Sequence, residues 1–256
     1  MVTDIFGHGA RLDVIKALCD THNIKMIEDV AQAPGIRFKE KFCGKWGDIG
    51  GFSLNYHKHI HTGEGGFCIC DDDDLALRMK MIRNHAEASV VNSPVKDLVN
   101  MVGYNFRLGE MEAAIGREQL KKLPTLLSQN QNKVEVINRI LSQEQDFKLS
   151  LEEVGSDHAY YVLPIQITDN LSLKNQWLKK LDEQGMPGLM EGYMNVHRLP
   201  MYEKKIAYGK NYPWCLSDNK LSYGPGLCPV AEHLKDHAFV GLLVSMFELT
   251  KQECEW

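Results

Sequence analysis

The chain has 256 residues, of which 44% are hydrophobic and 25% are charged, and its formal net charge is −5. These values are typical of a folded globular protein and exclude a largely disordered chain. The mild acidity, with no run of lysine or arginine longer than two residues, argues against a broad nucleic-acid-binding face.

The sequence also predicts the cellular location of the protein. No segment approaches the roughly 18 consecutive apolar residues of a transmembrane helix, and the first residues lack the basic start of a secretory signal. The seven cysteines are scattered and odd in number. We therefore expect a cytoplasmic protein with reduced thiols and no membrane partner.

The first half of the chain alternates helical and strand-like patterns. Apolar residues recur with helical spacing over residues 11–22 and 75–85. Between and beside these stretches lie short apolar runs, at residues 24–28, 48–54 and 66–70. Short apolar strands that alternate with amphipathic helices predict an α/β fold with a mostly parallel sheet.

The pattern changes after residue 109. Two long helical stretches are joined around Pro124, and a strand-like segment at 160–167 precedes a helix at 173–184 with Gly185 as its C-terminal cap. This order predicts a second, smaller α+β domain. We place the boundary near residues 120–145, with a large domain over 1–125 and a small domain, including the connecting helix, over 126–256.

Residues 51–66, GFSLNYHKHIHTGEGG, are the segment richest in chemically useful side chains. Ser53 lies at the end of a predicted parallel strand, where open α/β sheets bind ligands. Lys58 follows five residues later, and a partly desolvated lysine loses its proton readily enough to form an imine. An ordinary surface lysine is the alternative interpretation, and spacing alone favours it.

Residues 25–35, KMIEDVAQAPG, carry a second candidate site. The predicted strand delivers Glu28 and Asp29 to its carboxyl-terminal edge. A carboxylate there could bind a metal, a ribose hydroxyl or a protonated ring nitrogen. The alternative interpretation is a helix N-cap after a strand.

A zinc site is a distant alternative, because no CxxC pair or HExxH frame is present. We expect no metal. The residues that could form such a site are His57, His59, His61, Cys68, Cys70 and His85.

Several motifs occur together in a fixed order. They are IEDVAQAPG at 27–35, GDIGGFSLNYHKHIHTGEGG at 47–66, RNHA at 83–86, GYNFRLGEMEAAIGREQLKKL at 103–123 and CPVAEHL at 228–234. This set resembles the DegT/DnrJ/EryC1/StrS family of nucleotide-sugar aminotransferases, which depend on pyridoxal 5'-phosphate (PLP) and have fold type I. The resemblance implies a partial fold type I large domain followed by the smaller α+β domain.

The resemblance also implies roles for five residues. Lys58 would form an imine with the cofactor aldehyde, Asp29 would pair with the pyridinium nitrogen, and Gln32 would lie beside the ring. Ser53 would bind the phosphate, and Asn105 would reach the phosphate of the neighbouring subunit. The implied protein is a homodimer with shared active sites. It would move an amino group from an amino acid, usually glutamate, to a keto carbon of a nucleotide-linked sugar.

Two departures from the family pattern leave alternatives open. His57 and His59 flank Lys58, and a sister branch of sugar 3-dehydratases carries histidine where the aminotransferases carry lysine. Complete members also extend before the position of Met1 and beyond that of Trp256. The alternatives are therefore a PLP-dependent sugar dehydratase and a non-catalytic or split-gene remnant. The sugar, the aminated carbon and the pathway, whether for polysaccharide or antibiotic sugars, stay open.

Overall fold

The computed structural model describes residues 1–87, 101–149, 155–168, 171–218 and 221–254. The chain forms two compact units, one of Met1–Val134 with Glu152–Tyr161 and one of Glu135–Leu151 with Val162–Trp256. A compact unit is not by itself a domain, so the division between residues 125 and 126 stays a prediction.

The first unit is built on a four-stranded sheet. Its strands and helices are β1 (Val2–Thr3), α1 (Leu12–Thr21), β2 (Ile27–Asp29), β3 (Arg37–Phe38), β4 (Lys41–Phe42), β5 (Ile49–Ser53), β6 (Gly66–Ile69), α2 (Asp73–Arg83) and most of α3 (Glu110–Leu141). The sheet order is β1-β2-β5-β6, and β3 and β4 form a separate hairpin. Strands β1, β2 and β5 are parallel and β6 is antiparallel, as the alternating sequence pattern predicts.

Apolar side chains from the helix and loops around β2 form the core of this unit. Helix α2 begins where the sequence supplies a cap, because the Asp72 carboxylate accepts the Leu75 N–H at 2.9 Å. Burying the core provides the main driving force for bringing the strands together. The buried core residues are Leu12, Met26, Val30, Ala33, Ile36, Phe38, Cys43 and Ala159.

Helix α3 corrects one prediction. The sequence suggests two helices joined around Pro124, but α3 is a single helix of 32 residues with Pro124 inside it. Proline removes one hydrogen bond of a helix. Leu123 is buried on one side of this position, packed with Leu54 and Ile60, and Leu127 packs against the same cluster. This packing on both sides of Pro124 keeps the helix continuous.

The second unit is α+β, as predicted. Its elements are β7 (Phe147–Leu149), β8 (Leu163–Ile167), α4 (Leu171–Glu183), β9 (Leu189–Met190), α5 (Pro200–Glu203), α6 (Pro229–His233), β10 (Phe239–Leu242) and α7 (Lys251–Cys254), together with the end of α3. The strands form an antiparallel sheet in the order β7-β8-β10-β9. Gly185 follows α4 with φ +73°, the left-handed conformation expected of a C-terminal cap.

The strand predicted at 160–167 is shorter than its apolar pattern suggests. Strand β8 begins only at Leu163, and Tyr160 has the left-handed φ of +48°. A residue in that conformation cannot continue a strand. Tyr160 and Tyr161 consequently belong to the first unit, whereas Val162 belongs to the second.

Within the ranges that the structure describes, no helix is both long and apolar enough to cross a lipid bilayer.

Candidate active site

The parallel strands bring two predicted site residues to one edge of the sheet. Asp29 is the last residue of β2 and Ser53 is the last residue of β5. The two strands are neighbours, with Asp29 opposite Gly51 in the register. This carboxyl-terminal edge is where open α/β sheets bind ligands.

The two acidic residues of β2, Glu28 and Asp29, differ in their surroundings, and only Asp29 is a candidate site residue. Glu28 is fully buried, and its carboxylate accepts the backbone N–H of Gly44 at 2.7 Å and that of Gly47. Glu28 therefore holds the loop before β5 and is not available as a ligand. Adjacent strand residues point to opposite faces of a sheet, so Asp29 points away from Glu28.

The turn that carries Lys58 is built by its own side chains. The Asn55 amide oxygen accepts the His57 N–H at 3.1 Å, and the Asn55 carbonyl accepts the Lys58 N–H at 2.9 Å. The Asn55 amide nitrogen donates to Glu64 at 2.8 Å, which ties the turn to the glycine-rich TGEGG segment. The Ser53 hydroxyl accepts the Asn55 N–H at 3.2 Å. Residues 53–64 thus fold as one local unit that fixes the Lys58 backbone.

The Lys58 amine is partly buried and lies within electrostatic reach of Asp29. Burial lowers the pKa of the Lys58 amine, and the Asp29 carboxylate partly offsets this by favouring the ammonium form. A lysine with a lowered pKa supplies more of the neutral, nucleophilic amine near neutral pH. Lys58 lies on the turn that follows β5, and β5 is the neighbour of β2, which ends at Asp29.

Gln32 and Asp29 are oriented by the backbone around them. The Gln32 amide oxygen accepts the Phe6 N–H at 2.6 Å, and the Asp29 carboxylate accepts the Ala31 N–H at 3.1 Å. Both contacts lie near the edge where β2 ends.

Asn105 pairs with the chain just beyond the end of α2. It forms an isolated bridge with Asn84, and its side chain is exposed. Next to it, Arg107 donates to the Asn84 side chain at 2.7 Å. The RNHA and GYNFR motifs, separated by about 20 residues in the sequence, are therefore paired in the fold. The predicted role of Asn105 in a neighbouring subunit stays a prediction.

One histidine of the zinc alternative has another partner in the fold. His59 is buried, its Nε2 is hydrogen-bonded to the Ala159 carbonyl at 2.9 Å, and burial lowers its pKa to about 4. In the part of the chain covered by the structure, no group of three or more His, Cys, Asp or Glu side chains could hold a metal ion.

Sequence reasoning misses one residue of this site. The Lys58 Nζ lies 4.5 Å from the ring centroid of Tyr161, which is only 6% exposed. Tyr161 is separated from Lys58 by about 100 positions, and its apolar neighbours suggest an ordinary strand. No local signal in the sequence points to this contact.

The family model for the DegT/DnrJ/EryC1/StrS aminotransferase family matches residues 1–222. The chain belongs to this family. Among curated relatives of this family member, the UDP-4-amino-4,6-dideoxy-N-acetyl-beta-L-altrosamine transaminase of Campylobacter jejuni is 30% identical over 211 residues. That match covers 80% of this chain and 54% of the relative.

Solved structures show the same fold for this DegT/DnrJ/EryC1/StrS protein. An aminotransferase from Psychrobacter cryohalolentis is 27% identical with a TM-score of 0.76, over 99% of this chain and 65% of its own. The Escherichia coli GDP-4-keto-6-deoxy-D-mannose-3-dehydratase, solved with hydrated PLP, is 21% identical with a TM-score of 0.78, over 99% and 64%. The fold is that of the fold type I PLP-dependent enzymes, and the chain spans between about half and two thirds of these three relatives.

Proposed function

We propose that the chain is a PLP-dependent sugar aminotransferase that moves an amino group from an amino acid, glutamate, to a keto carbon of a nucleotide-linked sugar. One observation carries the proposal: a partly buried lysine, Lys58, lies on the turn after β5, whose neighbour β2 ends at Asp29 on the ligand-binding edge of a parallel sheet. Family membership and the similarity to the Campylobacter jejuni transaminase also support an aminotransferase function.

The side chains at this edge have the donor set that PLP requires. Lys58 offers an amine for the aldehyde, Asp29 a negative charge for the ring nitrogen, and Ser53 a hydroxyl for the phosphate. Gln32, already oriented by the Phe6 N–H, would lie beside the ring. When bound, PLP supplies an electron sink that makes the Cα proton of an amino donor acidic.

The protein's own residues would then do two things. The Lys58 Nζ would take the proton from Cα of the amino donor and later return a proton to the carbon that receives the amine, as general base and acid. The Asp29 carboxylate would keep a proton on the ring nitrogen. Burial lowers the pKa of the Lys58 amine, which suits the first task because that task needs a neutral amine.

We favour an aminotransferase over the dehydratase alternative. That alternative needs a histidine in the position of the lysine. His59 is buried and hydrogen-bonded to the Ala159 carbonyl, whereas the Lys58 side chain is only partly buried. This contrast supports the alignment that assigns Lys58, and not His59, to the family lysine.

We further propose a homodimer in which Asn105 serves the partner's site. Large apolar side chains around it are exposed, with Tyr104 and Phe106 stacked at 4.9 Å between ring centroids. Met111, on the first turn of α3, is 76% exposed. An exposed group of this kind beside a predicted ligand-binding residue suits a surface that is covered in an assembly.

The experiment is a product analysis with PLP, glutamate and a panel of keto-sugar nucleotides. We expect a sugar that has gained an amino group, and an activity loss of about 10³-fold or more for Lys58→Ala. Lys25→Ala, at an exposed lysine, is the matched control and should retain activity. A deoxy-keto sugar as the product would instead support the dehydratase. Binding of the sugar nucleotide without turnover would support the non-catalytic remnant.

A further inference from the structure

The face of the Tyr161 ring lies against the Lys58 amine. The distance from Nζ to the ring centroid is 4.5 Å, within the range in which an aromatic face attracts a cation. The ring is almost completely buried, so it also keeps water away from one side of the amine. Tyr161 therefore acts on the amine in two ways, through its ring electrons and through its bulk.

The backbone beside Tyr161 is held from two sides. The Ala159 N–H donates to the Gly7 carbonyl at 2.7 Å, and the Ala159 carbonyl is hydrogen-bonded to His59 Nε2 at 2.9 Å. Gly7 itself has φ +95°, and a Cβ at this position would lie 3.0 Å from the backbone nitrogens of both Tyr160 and Tyr161. Only glycine allows this close approach.

Tyr160 adopts a conformation that its neighbours must maintain. Its φ of +48° is unusual for a bulky residue. His158 Nδ1 accepts the Tyr160 N–H at 2.9 Å, and the two rings are stacked with centroids 3.9 Å apart. The left-handed turn at Tyr160 directs the chain so that Tyr161 meets Lys58.

We infer that Tyr161 is a positioning residue of the Lys58 site, placed against the amine by the His158–Tyr160 turn and by the close contact with Gly7. The inference rests on the proposed function only in taking Lys58 as the reactive lysine. Tyr161 confines the amine and limits its contact with water. Strain at a turn beside a reactive group is a common sign of such a role.

The test measures the Lys58 amine directly, in protein without added PLP. Trace acetylation with acetic anhydride over a range of pH, read by peptide mass spectrometry, gives the midpoint at which Lys58 becomes reactive. Tyr161→Phe keeps the ring and should leave the midpoint unchanged. Tyr161→Ala removes the ring and also admits water, so its midpoint should lie above that of Tyr161→Leu, which removes the ring alone. Lys25, whose exposed amine is ion-paired with Asp48 in the fold, is measured in the same samples, and an unchanged midpoint there shows that the fold is retained.

Tyr161→Leu provides a second comparison if the alanine variant does not fold. Leucine keeps the apolar bulk but removes the ring's attraction for the ammonium form, so the midpoint should fall below that of Tyr161→Phe. Equal midpoints for the leucine and phenylalanine variants, or equal midpoints for the leucine variant and a folded Tyr161→Ala, would overturn the inference. A wild-type protein that never binds PLP at Lys58 but shows these shifts would reject only the proposed function.

Discussion

A single carboxylate opposes the effect of burial at the candidate site. Burial lowers the pKa of Lys58, and Asp29 is the charged group that acts in the other direction. Lys174 in the second unit has a pKa that burial also lowers, but its amine donates to the Lys235 carbonyl at 2.7 Å. A buried lysine alone does not identify a site. What distinguishes Lys58 is its place at the sheet edge beside Asp29.

Buried titratable residues around this site determine how stability depends on pH. Burial lowers the pKa of His158 to about 3 and that of His59 to about 4, and raises that of Asp4 to about 6. Between about pH 4 and 6 the unfolded chain therefore binds two more histidine protons, whereas the folded chain binds one more at Asp4. The net effect of these three groups is that stability rises with pH in this window.

His158→Asn should flatten this dependence. Asparagine can still accept the Tyr160 N–H but takes up no proton when the chain unfolds. The free energy of unfolding should then change with pH less steeply, by about 1.4 kcal/mol per pH unit, the effect of one proton. Urea unfolding between pH 4 and 6 measures this difference in slope. His22→Asn, at an exposed position, is the matched control, and an identical slope for His158→Asn and the wild type would contradict the account.

At the scale of elements, the sequence predicts best those helices and strands that are determined by interactions between nearby residues. The periodicity at 11–22 and 75–85 finds α1 and α2 to within a few residues, and the three apolar runs locate β2, β5 and β6. These elements follow from side-chain spacing and from caps such as Asp72. The order of the motifs likewise identifies the family and with it the fold.

The sequence predicts less well those elements that depend on contacts between residues far apart in the chain. The packing around Pro124 that accompanies a continuous α3 comes from residues far away in the chain. The turn at Tyr160 depends on Gly7, about 150 residues earlier. The strand pattern alone does not distinguish Glu28 from Asp29 as the site carboxylate, because the choice depends on which face of β2 is buried; the family resemblance is what assigns Asp29.

At the scale of the whole molecule, a shared site makes a specific prediction about mixed variants. Lys58→Ala and Asn105→Ala should each be inactive alone. A mixture that is unfolded and refolded together should recover about a quarter of wild-type activity, since half the dimers would be mixed and each would carry one intact site. Activity after refolding, with wild-type protein treated in the same way as the reference, measures this recovery.

The matched control is a mixture of Lys58→Ala with Asp29→Asn. Both residues act in the same subunit's site, so every site in this mixture should lack one of them and no activity should return. Recovery in the control mixture, or its absence in the Asn105 mixture, would contradict a site that combines Lys58 of one subunit with Asn105 of the other.

Reductive trapping shows which lysine binds PLP. The protein is mixed with PLP, reduced with borohydride, digested and mapped by mass spectrometry. We expect one dominant modified peptide, carrying the cofactor on Lys58, and its loss in Lys58→Ala. Modification spread over exposed lysines such as Lys25, with no preference for Lys58, would contradict it.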